Sequence, residues 1–278
     1  MEKDTITRQW LELLPDRVSE CGAKWGLTLG PPYPNSSVSI VFPATRRDGS
    51  AAVLKIQFPH RESDHEGDAL RVWNGDGAVR LLDEDSEHHA LLLEQCVPGI
   101  PLSTRGADEA LPVLINLLPR LWIAANTPFT TLADESAAWM QELTISWQRA
   151  GQPFEVGLLD AALESLERLR GTQGEQVLVH QDLHADNVLS ASREPWLVID
   201  PKPLIGEREF SLAPIIRSYE LGHHRSAVLR RLDVLSATLG VDRERARLWA
   251  LGQTLAWCFF GTEAMAGHVE TARWLWEG

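Results

Sequence analysis

The chain has 278 residues, of which 44% are hydrophobic and 23% charged, and its formal net charge is −13 at pH 7. This length suits one two-lobed domain or two modest domains, and the composition is ordinary for a globular protein. Its apolar runs are shorter than the roughly 18 residues that a membrane helix needs, and the opening segment MEKDTITRQW is too polar for a signal peptide. We therefore expect a cytoplasmic protein that does not enter a membrane.

The acidic charge bears on the choice of partner. Nucleic-acid binding depends on basic contacts with phosphates, so a net charge of −13 argues against it. The same charge favours a cationic small molecule, although an acidic surface also serves solubility alone. The three cysteines, Cys21, Cys96 and Cys258, are widely spaced and lack a metal-ligand pattern, which predicts free thiols in a reducing compartment.

The N-terminal third predicts helices and an antiparallel sheet. Apolar residues of segment 6–25 share a helical face, with Pro15 expected in the first turn of a second helix. Another helix is expected at 60–74. Strands are expected where apolar or alternating runs are bounded by turn residues, at 38–42, 51–58, 78–82 and 90–93.

From Leu102 onwards the pattern becomes helical, with apolar residues at three- and four-residue spacing. A turn at Pro98-Gly99 marks the change, which predicts a β-rich lobe over residues 1–97, a connecting segment at 94–99 and a helical lobe over 98–278. We therefore expect an α+β fold. Helices are predicted at 107–125, 132–150, 155–170, 211–221, 226–239 and 242–276.

The stretch from Val177 to Pro203 contains the densest set of polar groups. It reads as a short apolar strand, a polar loop and a hairpin whose two short strands are separated by a turn at 191–195. This order brings Asp182, Asn187 and Asp200 to one rim. Carboxylate and amide oxygens suit a hard cation such as Mg²⁺, so the stretch predicts a magnesium site.

Lys55 lies inside the apolar run AAVLKIQF at 51–58. A lysine in such a strand either meets an anion or points to solvent. Glu62 and Glu66, on the helix that follows, are both spaced so that one of them can turn toward this lysine. Either glutamate could instead belong to a solvated face.

A second interpretation of the loop is a transition-metal cluster. The loop has the pattern H-x-D-x-H-x-D, and imidazole and carboxylate groups both ligate zinc. Such a cluster would belong to a metal-dependent hydrolase, and it would leave Lys55 and Asp200 unexplained. The residues concerned are His180, Asp182, His184 and Asp186.

Taken together, these features resemble the protein-kinase-like fold. The loop HQDLHADN at 180–187 has the kinase spacing H-x-D-x-x-x-x-N, and Asp-Pro-Lys at 200–202 stands in place of Asp-Phe-Gly. This variant is similar to the aminoglycoside phosphotransferases, and specifically to their streptomycin 6-phosphotransferase and hydroxyurea kinase branch. The narrower resemblance rests on the segments GAVRLLDED at 77–85, ALLLEQCVPG at 90–99 and WLVIDPKPLIGEREF at 196–210.

The resemblance implies a two-lobed fold and a role for each motif residue. Asp182 would orient the substrate hydroxyl and take its proton late, and Asn187 and Asp200 would hold Mg²⁺ against the phosphates of ATP. Lys55 would contact the α- and β-phosphates and be held by Glu66, which matches the family position better than Glu62.

Further nucleotide contacts are implied by position. The Glu94 carbonyl and the Cys96 amide would bind the adenine edge through the backbone. Asn35, Ser36 and Ser37 stand where kinases have a glycine-rich loop, so Ser36 and Ser37 would contact phosphates although the glycines are missing.

Two positions depart from the family pattern. Many relatives have Phe-Asp-Leu-Ala after the metal-binding loop, whereas this chain has FSLA at 210–213. Ser211 therefore cannot supply the charged contact to the loop at 180–187 that an aspartate would make. Relatives also have glycine after the loop histidine, where this chain has Gln181. Neither change removes a group that phosphoryl transfer needs.

The resemblance implies an ATP- and Mg²⁺-dependent kinase that confers resistance by phosphorylating a streptomycin-like antibiotic. Alternatives are a kinase of hydroxyurea or of another hydroxylated metabolite, and a nucleotide-binding regulator without turnover. The substrate is expected to be a small, cationic, hydroxylated molecule. Candidate contacts to it are acidic residues of the helical lobe, namely Asp186, Glu207, Glu209 and Glu220.

Overall fold

The structure, a computed structural model, describes residues 2–34 and 38–278, with side chains from Arg8 onwards. The predicted phosphate contacts Ser36 and Ser37, together with Asn35, lie outside the described residues. The chain forms two compact units, residues 1–99 with 190–199 and residues 100–189 with 200–278. Segment 190–199 belongs to the first unit, whereas the predicted boundary assigned it to the second.

The first unit contains an antiparallel sheet, as predicted, and the sheet has five strands. Its second and third strands are joined by a turn in which the Ser50 amide donates to the Asp48 carboxylate at 2.9 Å. Residues 78–80 were predicted to lie in a strand, but Val79 donates instead to the carbonyl of Val198 at 3.0 Å, outside the sheet. The strands are β1 (Thr28–Leu29), β2 (Ser39–Thr45), β3 (Ala51–Gln57), β4 (Leu81–Asp85) and β5 (Ala90–Glu94), in the order β1-β2-β3-β5-β4.

Helix α1 (Glu2–Trp25) runs through Pro15 without a break, so the predicted start of a second helix there is wrong. A proline inside a helix removes one backbone hydrogen bond. Apolar residues on both sides of it, among them Trp10, Leu14 and Val18, pack against the core of the first unit. This shared packing favours one continuous helix over two.

Helix α2 (Glu66–Trp73) is shorter than the predicted helix at 60–74, because residues 61–65 form turns. The Ser63 hydroxyl donates to the carbonyl of His60 at 2.8 Å, which stabilises the turn conformation. At the other end, Asn74 adopts a left-handed conformation and ends the helix. Glu66 is therefore the first residue of α2 and Glu62 lies before it.

A cluster of charged side chains joins α1 to the β4–β5 turn. The Lys24 ammonium lies 2.7 Å from the Asp85 carboxylate. The His88 ring lies between two carboxylates, with Nδ1 3.0 Å from Asp85 and Nε2 2.6 Å from Glu20. These hydrogen bonds raise the pKa of His88 above its usual 6.5. An imidazolium can donate to both carboxylates, whereas a neutral ring can donate to one of them.

The second unit is mainly helical, as predicted. Its core contains Trp139, Phe210 and Trp249, with the Phe210 ring centroid 5.8 Å from that of Trp139 and 5.5 Å from that of Trp249. The helices are α3 (Ala107–Leu121), α4 (Leu132–Arg149), α5 (Val156–Arg170), α6 (Ala213–Arg217), α7 (Arg225–Leu239), α8 (Arg243–Ala256) and α9 (Ala266–Glu277).

In the second unit, the helices predicted at 242–276 and 211–221 are also wrong in extent. The segment 242–276 is interrupted by a turn in which Gly261 has a φ of 63°, so its helical periodicity belongs to two helices, α8 and α9. The segment 211–221 is helical over α6, and residues 218–222 turn away from the helix axis. The remaining strands are β6 (Gln176–Val179), β7 (Val188–Ser190), β8 (Trp196–Val198), β9 (Leu204–Glu207), β10 (Phe259–Phe260) and β11 (Glu263–Ala264).

Strand pairing positions the predicted catalytic loop. Strand β6 pairs antiparallel with β9, which the sequence analysis did not anticipate, and β7 pairs with β8 as the predicted hairpin. The loop of residues 180–187 therefore begins at one end of a paired strand. Among the described helices, none combines the length and the apolar character that spanning a bilayer requires.

Glu207, at the end of β9, is a buried carboxylate in the second unit. It is 1% exposed and accepts hydrogen bonds from Arg245 at 2.8 Å, from the Gly174 amide at 3.0 Å and from the Trp249 indole. Charged and polar partners offset the cost of removing this carboxylate from water. Glu207 therefore ties β9 to α8.

We expect the unfolding free energy to fall with rising pH because of His88. Since its folded pKa is raised, its stabilising contribution is fully present below about pH 6.5 and is lost as pH rises through the folded value. Urea unfolding at roughly pH 6 and pH 8.5 should show this loss in the wild type, and His88→Ala should make it smaller. An identical pH dependence in the variant would contradict the prediction.

We expect Glu207→Ala to lower the unfolding free energy by about 3 kcal/mol, because it leaves Arg245 and Trp249 without their acceptor. Urea unfolding measures the change. The control is Glu167→Ala, which removes an exposed i,i+3 pair with Arg170 and should leave the unfolding free energy nearly unchanged. Equal effects of the two substitutions would refute a structural role for Glu207.

Candidate active site

The backbone of the predicted catalytic loop is anchored at His180. Its carbonyl accepts the amide N–H of Asp182 at 2.8 Å and that of Lys202 at 3.1 Å. One acceptor thus joins the loop that carries Asp182 to the segment that begins at Asp200. The short β6–β9 pairing brings these two stretches together.

Gln181 and Asp200 both adopt left-handed backbone conformations, with φ values of 62° and 55°. Glycine adopts this conformation without steric cost, whereas for other residues it raises the conformational energy by about 1 kcal/mol. This explains why a glycine suits the position after His180. The Gln181 side chain is 1% exposed, and its Nε2 atom has no hydrogen-bond partner among the described residues.

The Asp182 carboxylate lies between two cations. Lys202 Nζ contacts Oδ2, and Arg217 Nη2 lies 3.4 Å from Oδ1. Burial raises the pKa of the Asp182 carboxyl, but the charges of Lys202, Arg217 and His184 outweigh burial, and the net shift is downward from 3.8. Asp182 is therefore ionised at neutral pH and can accept a hydrogen bond from an alcohol.

Neither cation was predicted to have a role from the sequence. Lys202 lies two positions after Asp200 in the segment VIDPKP, which belongs to the family-like stretch. This location in the sequence could have indicated a role for Lys202. Arg217 ends α6 and carries no motif. Its guanidinium stacks on the Trp257 ring, 4.6 Å from the ring centroid. This stacking orients the guanidinium that contacts Asp182.

Asn187 is oriented by the same loop. Its side-chain Nδ2 donates to the Asp182 carbonyl at 2.9 Å, which leaves the amide oxygen as its ligand atom for a cation. Asp200 supplies a half-buried carboxylate at the start of the adjoining segment. An amide oxygen and a carboxylate are hard oxygen donors, so these residues fit Mg²⁺.

In the first unit, Lys55 is paired with Glu66. Their side chains are 7% and 2% exposed, and Lys55 Nζ lies 2.6 Å from Glu66 Oε2. Gln57 donates to the same oxygen at 2.6 Å. Glu62 lies 3.8 Å from His60 and is more exposed, so the partner of Lys55 in the structure is Glu66.

The side chains of the connecting segment have structural partners. The Glu94 carboxylate accepts from Arg193 at 2.8 Å and from the Arg80 amide at 3.0 Å. Burial raises the pKa of the Cys96 thiol to about 12, so it stays protonated at neutral pH. The nucleotide contacts expected of this segment use the Glu94 carbonyl and the Cys96 amide, and they stay a prediction.

The histidines and acids of the loop do not form the predicted four-residue cluster. Among the described residues, His184 and Asp186 group with Glu220, with potential ligand atoms within 4.8 Å of one another, while Asp182 faces Lys202 and Arg217. The structure therefore separates the Asp182 carboxylate from the acid–histidine group.

Glu220 is tied to the catalytic loop by two contacts. Its carboxylate accepts the Ala185 amide at 3.0 Å and lies 3.4 Å from His184 Nδ1. Burial opposes ionisation, but the partners of Glu220, first among them His184, outweigh it and lower the pKa of Glu220 to about 2. Burial lowers the pKa of His184, but Glu220 and Asp182 outweigh it and raise the pKa above 6.5.

A buried arginine shapes the segment that carries Arg217 and Glu220. Arg231 is 3% exposed, and burial lowers its pKa to about 10. Its guanidinium donates to backbone carbonyls and not to a carboxylate. The distances are 2.8 to 3.1 Å, and the four acceptors are the carbonyls of Ile216, Ser218, Leu221 and Gly222. Arg231 therefore fixes the turn after α6.

The other acids considered for substrate binding have different surroundings. Glu207 is buried in the network with Arg245 described above. Glu209 accepts the Asp242 amide at 3.3 Å, before the start of α8. Asp186 is exposed and contacts the Ser103 hydroxyl. Asp186 thus lies within the loop 180–187, and Glu220 contacts that loop.

Ser211 is buried, and its hydroxyl forms hydrogen bonds with groups outside the catalytic loop. It donates to the Arg208 carbonyl at 2.5 Å and accepts from the Trp122 indole at 3.0 Å. The catalytic loop receives a different support, from α8. Gln253 is 0% exposed, and its Nε2 donates to the Gln181 carbonyl at 3.0 Å.

The described geometry has counterparts in solved structures. A choline/ethanolamine kinase family protein from Mesorhizobium loti has a TM-score of 0.66 at 13% identity, with 94% of each chain covered. A thermostable mutant of the aminoglycoside phosphotransferase APH(4)-Ia has a TM-score of 0.60 at 18% identity, with 92% of this chain and 94% of that chain covered. These similarities confirm the predicted protein-kinase-like fold.

Sequence relatives define the family more narrowly. The chain is 38% identical over 260 residues to a hydroxyurea phosphotransferase from Kitasatospora aureofaciens, covering 92% of this chain and 75% of the relative. It is 38% identical over 255 residues to a streptomycin 6-kinase from Streptomyces griseus, covering 89% and 83%. The family model for aminoglycoside/hydroxyurea antibiotic resistance kinases matches residues 24–260. The chain is therefore a phosphotransferase that belongs to the aminoglycoside/hydroxyurea antibiotic resistance kinase family.

Proposed function

We propose that the protein is an ATP- and Mg²⁺-dependent kinase that phosphorylates a hydroxyl group of streptomycin or a closely related aminocyclitol antibiotic, and thereby confers resistance. The observation that carries the proposal is the Asp182 carboxylate, held between Lys202 and Arg217 on the loop that also carries Asn187. The similarity to streptomycin 6-kinases supplies the choice of acceptor.

Asp182 acts on the acceptor alcohol. Its carboxylate accepts the hydroxyl hydrogen and orients the oxygen toward the γ-phosphorus of ATP; the new P–O bond forms as the bond to ADP breaks. Because Lys202 and Arg217 lower its pKa, Asp182 is a weak base. The proton therefore leaves the alcohol late, after most of the phosphoryl transfer, and positioning supplies much of the rate.

Residues of the first unit bind the nucleotide in this proposal. Lys55, held by Glu66 at 2.6 Å, contacts the α- and β-phosphates. The Glu94 carbonyl and the Cys96 amide bind the adenine edge, and Ser36 and Ser37 contribute phosphate contacts.

Asn187 and Asp200 hold Mg²⁺ through their side-chain oxygens. When bound, the ion supplies positive charge that neutralises the phosphate oxygens. The hydrogen bond from Asn187 Nδ2 to the Asp182 carbonyl orients the Asn187 amide for this role. The same bond couples the position of the metal ligand to that of the catalytic carboxylate.

Asp186 and Glu220 form the acidic surface that binds a cationic acceptor. Glu220 stays ionised at neutral pH because its pKa is lowered to about 2, and Asp186 is exposed to solvent. Hydroxyurea is the second candidate acceptor, favoured by the hydroxyurea phosphotransferase relative. A neutral acceptor of that size would not need this acidic surface, so streptomycin fits better.

We expect Asp182→Asn to reduce kcat for streptomycin phosphorylation by at least about 100-fold, because the amide cannot take the hydroxyl proton. ATP binding, measured by calorimetry, should change little. Asp160→Asn, at an exposed position on α5, is the control and should retain wild-type kcat. Full activity of Asp182→Asn would refute its catalytic role, and ATP binding without turnover by the wild type would favour a regulator.

We expect Lys55→Met to raise KM for ATP and lower kcat, together by roughly 100-fold in kcat/KM, because the variant loses a charged phosphate contact. Steady-state kinetics with varied ATP measures the effect. The matched control is Lys24→Met in the same unit, which removes the Lys24–Asp85 pair and should leave kcat/KM unchanged. An unchanged kcat/KM for Lys55→Met would contradict the proposed phosphate contact.

A further inference from the structure

We propose that Gln253 is a positioning residue for the catalytic loop. The inference rests on the proposed function, because the proposed function makes Asp182 the catalytic residue. The structural part of it concerns one buried amide on α8 and its two hydrogen bonds.

Gln253 joins the loop to the cation that contacts Asp182. Its Nε2 donates to the Gln181 carbonyl at 3.0 Å, and its Oε1 accepts from Arg217 Nη1 at 3.0 Å. The other terminal nitrogen of Arg217, Nη2, lies 3.4 Å from the Asp182 carboxylate. The same amide therefore fixes the backbone on one side of Asp182 and the guanidinium on the other.

The buried position makes both hydrogen bonds costly to lose. Gln253 is 0% exposed, so water does not replace a missing partner for the Gln181 carbonyl or the Arg217 guanidinium. Glutamine suits this position because it has a donor and an acceptor on one rigid planar group. A glutamate would keep the contact with Arg217 and lose the donor to Gln181.

Two features of this chain create the need for such support. Ser211 directs its hydroxyl to the Arg208 carbonyl and receives the Trp122 indole, so it is occupied away from the loop. Gln181 holds a left-handed conformation, with a φ of 62°, that glycine adopts more easily. A hydrogen bond to the Gln181 carbonyl stabilises that conformation from outside the loop.

Trp257 completes the arrangement on the same helix face. Its amide donates to the Gln253 carbonyl at 3.0 Å, so the two side chains are one helical turn apart. The Trp257 ring lies under both cations, with its centroid 4.6 Å from Arg217 Cζ and 5.9 Å from Lys202 Nζ. The end of α8 thus orients both partners of Asp182.

Hydrogen exchange tests the inference without turnover. In Gln253→Met, which preserves volume and removes both hydrogen bonds, we expect the amides of residues 180–187 and of Lys202 to exchange at least about tenfold faster. Exchange in α5, in the same unit, should stay unchanged. Thr254→Val is the matched control, because Thr254 is 0% exposed on the same helix and its hydroxyl has no partner among the described residues.

Kinetics provide the second readout. We expect kcat of Gln253→Met to fall about tenfold while KM for ATP stays within about twofold, since the residues proposed to contact ATP directly, as distinct from the Mg²⁺ ligands, lie in the first unit. Gln253→Glu, which retains an acceptor for Arg217, should recover part of kcat but still show fast loop exchange. Thr254→Val should match the wild type in both measurements.

The two proposals fail in different ways. Wild-type protein that phosphorylates neither streptomycin nor hydroxyurea would refute the proposed function, and loop exchange alone would then decide the role of Gln253. Unchanged loop exchange in both Gln253 variants would overturn the inference. Faster exchange spread evenly over the second unit would also overturn it, because that pattern indicates a general loss of stability.

Discussion

The ion pairs of Asp182 with Lys202 and Arg217 are the interaction on which the proposed chemistry depends. A half-buried carboxylate is costly to ionise, and the two cations offset that cost and shift its pKa downward. The carboxylate is thereby kept in the form that accepts a hydrogen bond from an alcohol. Its low basicity fits phosphoryl transfer, where orientation and charge neutralisation contribute more than early proton removal.

Buried polar groups hold these partners in position. Arg231 fixes the turn that follows Arg217 through backbone carbonyls, and Glu207 ties β9 to α8 through Arg245. Gln253 links α8 to the catalytic loop. Because each group is buried and satisfied by hydrogen bonds, displacing one leaves unpaired atoms in the core, which makes the arrangement rigid. In the first unit, Lys55 and Glu66 form a comparable buried pair.

Sequence alone identified the residues that belong to short linear motifs. The loop at 180–187, Asp200 and Lys55 were found because motif spacing and an unusual lysine in an apolar strand are local signals. Arg217 and Gln253 were missed because their contacts join residues 35, 36 and 72 positions apart. Helical periodicity predicted one helix at 242–276 because the periodicity continues across the turn at Gly261. Pro15 led to the wrong prediction of a second helix, because the packing of α1 outweighs the one hydrogen bond that the proline removes.

Product analysis with purified protein tests the central claim most directly. The wild-type chain is incubated with Mg²⁺, streptomycin and ATP carrying an isotopic label in the γ-phosphoryl group, and the antibiotic is examined by mass spectrometry and ³¹P NMR. We predict streptomycin that carries one labelled phosphoryl group as a monoester, with one ADP formed for each product molecule. Unmodified streptomycin in the presence of folded protein that binds ATP would contradict the claim.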